Sequence, residues 1–327
     1  MSRWLLTIVS IVSLFASAAL AAEPVELKLG TAVPRESPWG AVLRVWAKAV
    51  KEKTEGKVSI EFYWNATQGD EPAQMAKVKT GQLDGAVVTA VGLGVIDPSV
   101  NVLQAPGLFA NWEQLDKARE AMRPKFEKKF RDQGVELVGW GDVGLDRIMS
   151  KGYPVKRPED LKGKRAWVWR EDPVLPPMFQ VAGAVIVPTS LPEVLPELST
   201  GNVTVMSVSA LAAEQLQWAS RFDHVTRSII APNIGGMVLS KARLDALSKE
   251  QREAVLATGK VAAQALTERI RGEDAKAFER LSARMTVVEP GEDDLKAWKA
   301  LFTETRARLS KGTFDPALFT EAEQFAR

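Results

Sequence analysis

Apolar and charged side chains alternate through Val25-Glu26-Leu27-Lys28-Leu29, which predicts a strand ending at Gly30. Ser37-Pro38 then supplies an N-cap followed by proline at the first helical position. Val42, Leu43, Trp46, Ala49 and Val50 fall on one face of the helix that follows. Gly56 stops that pattern, and Val58-Ser59-Ile60-Glu61-Phe62 alternates again. Strand, helix, strand opens an α/β unit with parallel pairing. Further along, a helix is expected over 70–80, a short strand over 86–89, and a longer helix between Asn111 and Gln133 that Pro124 should kink or split. Another strand is expected over 135–139. In the second half, strands are predicted at 164–168, 184–187 and 203–205, separated by helices over 172–182 and 192–199. This second βαβ series places the start of a second lobe near residue 145.

One pattern exceeds either lobe. From Ser248 to about Arg284 there is no proline and one glycine, Gly272, while Val255, Ala262, Leu266, Ile270 and Leu281 mark a stripe. An unbroken helix at ~1.5 Å per residue would run on the order of 50 Å. A lobe of ~130 residues has a radius of gyration of ~14 Å. The helix should therefore brace both lobes, the alternative being two helices broken at Gly272. The expected division is 23–144 plus 233–272 for lobe I and 145–232 plus 273–327 for lobe II.

The N-terminus changes the picture of where the chain works. Arg3 is followed by an apolar run without charge from Trp4 to Leu20, and Ala19-Leu20-Ala21 fits the small-x-small cleavage pattern. Residues 1–22 read as a cleavable signal peptide, which implies a periplasmic protein. An uncleaved anchor is the competing reading, because the run approaches the ~20 residues that span a bilayer.

Composition narrows the chemistry. The 327 residues are 46% hydrophobic and 26% charged, enough for two packed cores. Basic and acidic residues nearly balance at 43 to 41, so no electrostatic footprint for nucleic acid is present. There is no cysteine and a single histidine, His224, which argues against Cys/His metal sites, haem ligation and thiol nucleophiles. No nucleophile elbow, phosphate loop or dinucleotide fingerprint occurs, and Gly92-x-Gly94 is too short a match. No cofactor and no catalytic residue is expected.

Three stretches carry a family resemblance. The first joins Leu29-Gly30-Thr31, Ser37-Pro38-Trp39-Gly40 and Lys53-Thr54-Glu55-Gly56-Lys57-Val58. The second joins Gly81-Gln82-Leu83-Asp84-Gly85 to Ala105-Pro106-Gly107-Leu108-Phe109. The third runs from Arg157-Pro158-Glu159-Asp160-Leu161-Lys162-Gly163-Lys164 through Gly183-Ala184 and Pro192-Glu193-Val194 to Leu198-x-Thr200-Gly201. In order and spacing the chain resembles the substrate-binding subunits of TRAP transporters, the DctP type. That resemblance implies a two-lobe α/β periplasmic-binding-protein fold, type II-like, with a long helix spanning both lobes. It also implies capture of a small-molecule ligand in the interlobe cleft and delivery to a TRAP-type membrane permease, and leaves open whether an accessory periplasmic protein takes part.

Two departures from the family pattern bear on the ligand. The strand after Asp-Leu-Lys-Gly usually carries an arginine that forks onto a ligand carboxylate, and that position here is Trp167. An indole supplies neither a cation nor a paired donor fork. Arg147 falls where the family often has a second arginine, and Arg170 is the other candidate substitute. The family's polar run after the Pro-Glu-Val helix becomes Val203-Thr204-Val205-Met206-Ser207-Val208-Ser209. A cleft lined by Trp167, Met206 and Val208 would suit an apolar or amphipathic solute. Alternatively, Trp167 and Trp169 share one strand face and pack beneath a helix, and Met206 and Val208 are strand-end core. Trp64, Trp140, Phe179 and Trp218 are further aromatic candidates, while family position alone suggests polar contacts at Gln68, Glu71, Thr89 and Asn233. The competing expectation is a conventional small organic acid held by Arg147 or Arg170.

Overall fold

A computed structural model describes residues 24–326, so the export signal read in residues 1–22 lies outside the described residues. Among the described residues, no helix is long and apolar enough to cross a membrane. The chain opens with β1 (Val25–Thr31), α1 (Pro38–Lys53), β2 (Val58–Tyr63), α2 (Glu71–Lys79) and β3 (Gly85–Thr89). The caps follow from local chemistry: Ser37 accepts from the Gly40 amide, and Asp70 starts α2 by accepting from Glu71 N. Then come α3 (Ala90–Gly94), a 3₁₀ turn at Pro98–Gln104, α4 (Trp112–Asp132) and β4 (Val135–Ser150). The second lobe is built from β5 (Arg165–Trp169), α5 (Leu175–Val181), β6 (Val185–Thr189), α6 (Val194–Thr200), β7 (Val205–Ser209), α7 (Ala210–Gln215) and β8 (His224–Thr226). The return path is β9 (Ala231–Ser240), α8 (Lys241–Asp245), α9 (Lys249–Ser282), β10 (Thr286–Val288), α10 (Glu292–Leu309) and α11 (Pro316–Glu323).

The ten strands of the described residues belong to one sheet, ordered β2-β1-β3-β9-β4-β7-β5-β6, with β8 paired to β4 and β10 to β8. Pairing is parallel within each lobe, as β1–β2, β1–β3 and β5–β6. The two lobes are joined through the antiparallel β4–β9 pair, whose ladder runs from Val135↔Ser240 to Asp146↔Ala231. Register shifts at Leu137/Gly139 and Asp142/Gly144 bend β4 where it passes from one lobe to the other.

Several sequence expectations need correction here. The strand expected over 135–139 runs on to Ser150, because its polar and glycine-rich middle pairs with β9 and its end, from Asp146, with β7 instead of forming a loop. The strand expected at 203–205 lies at 205–209 and leads directly into α7. α4 continues through Pro124. That proline is exposed, so the hydrogen bond it removes is lost on the side where water can satisfy the freed carbonyl. The chain end, assigned above to lobe II, divides: α10 packs on α5, whereas Phe314 and Phe319 join Phe126 and Phe130 in the first lobe's core.

α9 is a single helix of 34 residues, about 50 Å long, continuous through Gly272. Ser248 and Gln251 form a capping box at its start. Its buried stripe (Val255, Gly259, Ala262, Leu266, Ile270, Leu281) runs along one apolar cluster reaching from Trp46 in the first lobe to Trp218 in the second. The helix packs on α1, β4 and α7, so it spans both lobes. Gly259 is where it comes closest to the sheet: a Cβ there would lie 2.2 Å from Val138 Cγ1 and 3.3 Å from the Trp46 ring. Gly259→Ala should therefore overpack this contact and lower stability by about 1–3 kcal/mol in urea unfolding. A variant melting with the wild type would show that α9 can lift away at no cost.

Asp274 is a charged residue within this apolar stripe. It is buried and accepts from Leu145 N and from Leu211 N in the first turn of α7, both at 2.9 Å. Gly144, at φ +145°, leaves it room, since a Cβ there would lie 2.6 Å from the Asp274 carboxyl carbon.

Candidate functional site

The C-terminal ends of β1, β3, β5 and β7 face a cleft between the lobes, where open α/β sheets usually hold ligands. It contains about 1270 Å³ of empty space, counting the part open to solvent. Two bridges cross it at one point. Asp70 Oδ2, at the head of α2 in the first lobe, accepts from Trp169 Nε1 at 2.8 Å and from Leu191 N at 3.0 Å in the second. The cleft is therefore held closed on that side.

The apolar wall is built by the β5 alternation. Ala166 and Val168 point to the α5 and α10 side, while Trp167 and Trp169 point to the other. The Trp167 ring lies 5.6 Å from that of Trp218 and 6.2 Å from that of Trp169. Its Nε1 donates to Thr189 Oγ1 at 2.9 Å, so the indole N–H is satisfied within its own lobe while the ring lines the cleft. Val208, Leu216, Trp39 and Val33 extend this surface.

The charged groups in the lining are all acidic: Glu71, Asp142, Asp146 and Asp172. Among the described residues, no lysine, arginine or histidine lines the cleft. Asp142 is neutralised behind the wall. Its carboxylate is fully buried and takes Arg119 Nη1 at 2.7 Å and Arg271 Nε at 2.6 Å. Asp116 closes the ring by accepting two bonds from Arg271 and one from Arg119. Glu71 accepts from Thr89 N, Thr89 Oγ1 and Gly92 N. Burial outweighs those donors and lifts its pKa to about 7. Asp172 accepts from Val174 N and Leu175 N, and burial lifts it to about 6.

Asp146 is the least compensated. Its side chain receives only the Asn233 amide, at 3.3 Å to each oxygen. Burial, with Asp274 and Asp172 nearby, pushes it up to about 8. Ser207 stands on the same sheet face, on the adjacent strand. It is 2% exposed, and among the described residues its Oγ has no hydrogen-bond partner; neither does Asn233 Oδ1.

Of the residues singled out from sequence, Trp167, Trp169, Val208, Glu71, Thr89 and Asn233 come together in the lining. Four do not, and a fifth, Arg170, is also outside. Arg147 alternates away from Asp146; its guanidinium stacks 4.0 Å over the Phe278 ring of α9 and donates to Leu145 O. Met206 is buried against the second-lobe core, paired with Met149 and one strand repeat deeper than Val208. Phe179 is fully buried on the α5 face with Trp298 and Leu301. Gln68 accepts from Lys77 Nζ at 2.8 Å. Arg170 is exposed beside Glu193. Sequence reasoning missed Asp146, Ser207 and Asp172, while Trp218, named above among the further aromatic candidates, does line the cleft. Arg147 shares its sheet face with Val208 and leaves the lining because its guanidinium turns to Phe278, whereas Asp146, on the opposite face, meets Asn233 in the cleft. His224 pairs with Asp223 outside the lining.

Comparison with known proteins agrees with this architecture. Residues 29–311 match the DctP model, described as bacterial extracellular solute-binding protein, family 7. A solute-binding protein of Chromohalobacter salexigens is 27% identical over 225 residues, 68% of this chain and 66% of that protein, just under two thirds of its length. The 2,3-diketo-L-gulonate-binding periplasmic protein of Escherichia coli is 22% identical over 251 residues, 76% of this chain and 75% of that one. Among solved structures, the sugar acid binding protein of Advenella mimigardefordensis in complex with galactonate superposes with a TM-score of 0.87 at 17% identity, covering 93% of this chain and 98% of that one. A TRAP periplasmic solute binding protein of Shewanella oneidensis with bound succinate gives 0.87 at 16% identity, covering 93% and 100%. These structural likenesses concern the two-lobe fold.

Proposed function

Because the chain belongs to the DctP family of bacterial extracellular solute-binding proteins, a family of binding proteins and not of enzymes, we propose that it captures a small solute with an apolar or aromatic body in this cleft and delivers it to a TRAP-type membrane permease. The observation that carries the solute class is the lining itself: four tryptophans, Trp39, Trp167, Trp169 and Trp218, and no basic side chain among the described residues. Burying apolar ligand surface against such a wall is worth roughly 25 cal/mol per Å². A carboxylate entering instead would lose its water shell and meet acidic groups with no guanidinium to pair with. Residues 1–22 support secretion to the periplasm as part of the same reading.

A second reading, an organic acid ligand, draws on the relatives whose printed ligands are a diketo-gulonate, galactonate and succinate. Its two candidate cations in this chain, Arg147 and Arg170, stand outside the lining. Native mass spectrometry of protein purified from its own periplasm, followed by extraction of whatever is bound, separates the readings. An aromatic or aliphatic solute is the expected result, and a sugar acid or dicarboxylate would defeat the apolar one. Trp167→Arg offers an independent check by calorimetry. It should weaken the extracted solute at least tenfold; unchanged binding would remove Trp167 from the site.

A further inference from the structure

At the polar end of the cleft three neighbouring side chains keep acceptor capacity that the described residues leave unmet. Among the described residues, Asp146 receives one long amide contact, Asn233 Oδ1 receives none, and Ser207 Oγ, in a residue 2% exposed and lining the cleft, has no partner. Asp146 and Asn233 are on neighbouring strands and in contact, and Ser207 follows on the same face. An ammonium group has three donors and no acceptor, which matches this set, and the tryptophans would hold its apolar body and favour its charge through their ring faces. We infer that the solute is an organic amine, bound as the cation at Asp146, Asn233 and Ser207 with its apolar body against Trp167 and Trp218. This rests on the apolar-cleft reading above and narrows it from an apolar body to a cationic one.

The charged groups around Asp146 fit this assignment. Asp274 faces it from α9 and Asp172 from the loop ahead of α5, both acidic. Arg147, beside it on β4, turns its guanidinium to Phe278 and bonds neither carboxyl, though its charge offsets part of their repulsion. A cation bonded to Asp146 would relieve the acidic charge that Arg147 leaves uncompensated, and it would have to displace a proton to do so, because burial raises the Asp146 carboxyl to about 8. Affinity for an amine should then rise as pH increases from 6 to 8, approaching tenfold per pH unit, with up to one proton released per amine bound at pH 7.

The test uses three probes sharing a phenyl body: 2-phenylethylamine, 2-phenylethanol and 3-phenylpropionate, titrated calorimetrically into the full mature protein. The amine should bind at least tenfold tighter than the alcohol, and the acid least well. Asp146→Asn should cost the amine at least tenfold while leaving the alcohol within about threefold, and Ser207→Val should cost the amine a few-fold. Thermal melting checks the fold of both variants, and titration in buffers of different ionisation enthalpy counts the proton. An acid that binds as tightly as the amine overturns the inference, as does an Asp146→Asn variant indifferent to the amine or an amine that fails to saturate the protein. If the alcohol binds and the amine does not, the cationic assignment falls while the apolar cleft stands. If only the acid binds, both fall.

Discussion

Asp142→Ala should destabilise the protein by about 3–5 kcal/mol, a fall in melting temperature on the order of 10 °C. The buried carboxylate is shared by Arg119 from α4 and Arg271 from α9, and Asp116 completes a ring of two positive and two negative groups. Each guanidinium also lies over an indole, Arg119 over Trp140 at 5.9 Å and Arg271 over Trp112 at 4.3 Å. Deleting Asp142 leaves the largely buried Arg119 with only half-exposed Asp116, and desolvation of an unpaired charge dominates the cost. The ring sits at the register shift where β4 changes lobe, so it also fixes α9 to the strand at that bend. Urea denaturation of the single variants and of Asp142→Ala/Arg119→Met provides the measurement. A single variant within about 1 kcal/mol of wild type would mean that water enters the ring and screens it.

Asp70→Ala should weaken ligand binding roughly 30- to 150-fold, through closure and not through contact. One carboxylate oxygen accepts both the Trp169 indole N–H and the Leu191 amide across the cleft mouth. Hydrogen bonds to a charged acceptor contribute about 1.5–3 kcal/mol each, and an opening of about 2–3 kcal/mol converts to that range of affinity. Both bonds exist only when the lobes meet, so their loss lowers the population of the closed form directly. Asp70 also caps α2, a role worth ~1 kcal/mol that asparagine preserves. Asp70→Asn should therefore melt like the wild type and still bind more weakly. Small-angle scattering with and without ligand reads the closure, and an Asp70→Ala protein as compact as wild type would sink the assignment.

The first lobe was legible in sequence because its punctuation is local. Ser37-Pro38, Gly56, Asp70 and Gly81 mark boundaries that period changes confirm on either side, and the structure keeps all of them within a residue or two. The spanning helix was legible for a different reason, an uninterrupted stripe longer than either lobe could cover. β4 and β9 were not. Each serves both lobes, and every bulge in β4 resets which residues face which layer, so a period-two pattern never accumulates across Gly139, Asp142 and Gly144. The site shows the same division. Trp167 and Val208 could be placed by spacing from nearby motifs, whereas Asp146 differs from Arg147 by one residue, and strand register together with the turn of the Arg147 guanidinium decides between them. The Asp142 ring joins side chains 23 and 129 residues apart, and no local signal reports such pairings.

The β4–β9 pair also limits how the protein can move. Two independent tethers would let the halves slide, swivel or drift apart. Strands laced to each other at ten positions of β4 permit one inexpensive motion, a flexing of the sheet at its bend, because any shear must break main-chain hydrogen bonds in series. A rod of 34 residues laid along that crease stiffens it further. The proposed permease would thus meet a single mechanical coordinate, the angle of one fold in the sheet, by which to tell an occupied protein from an empty one.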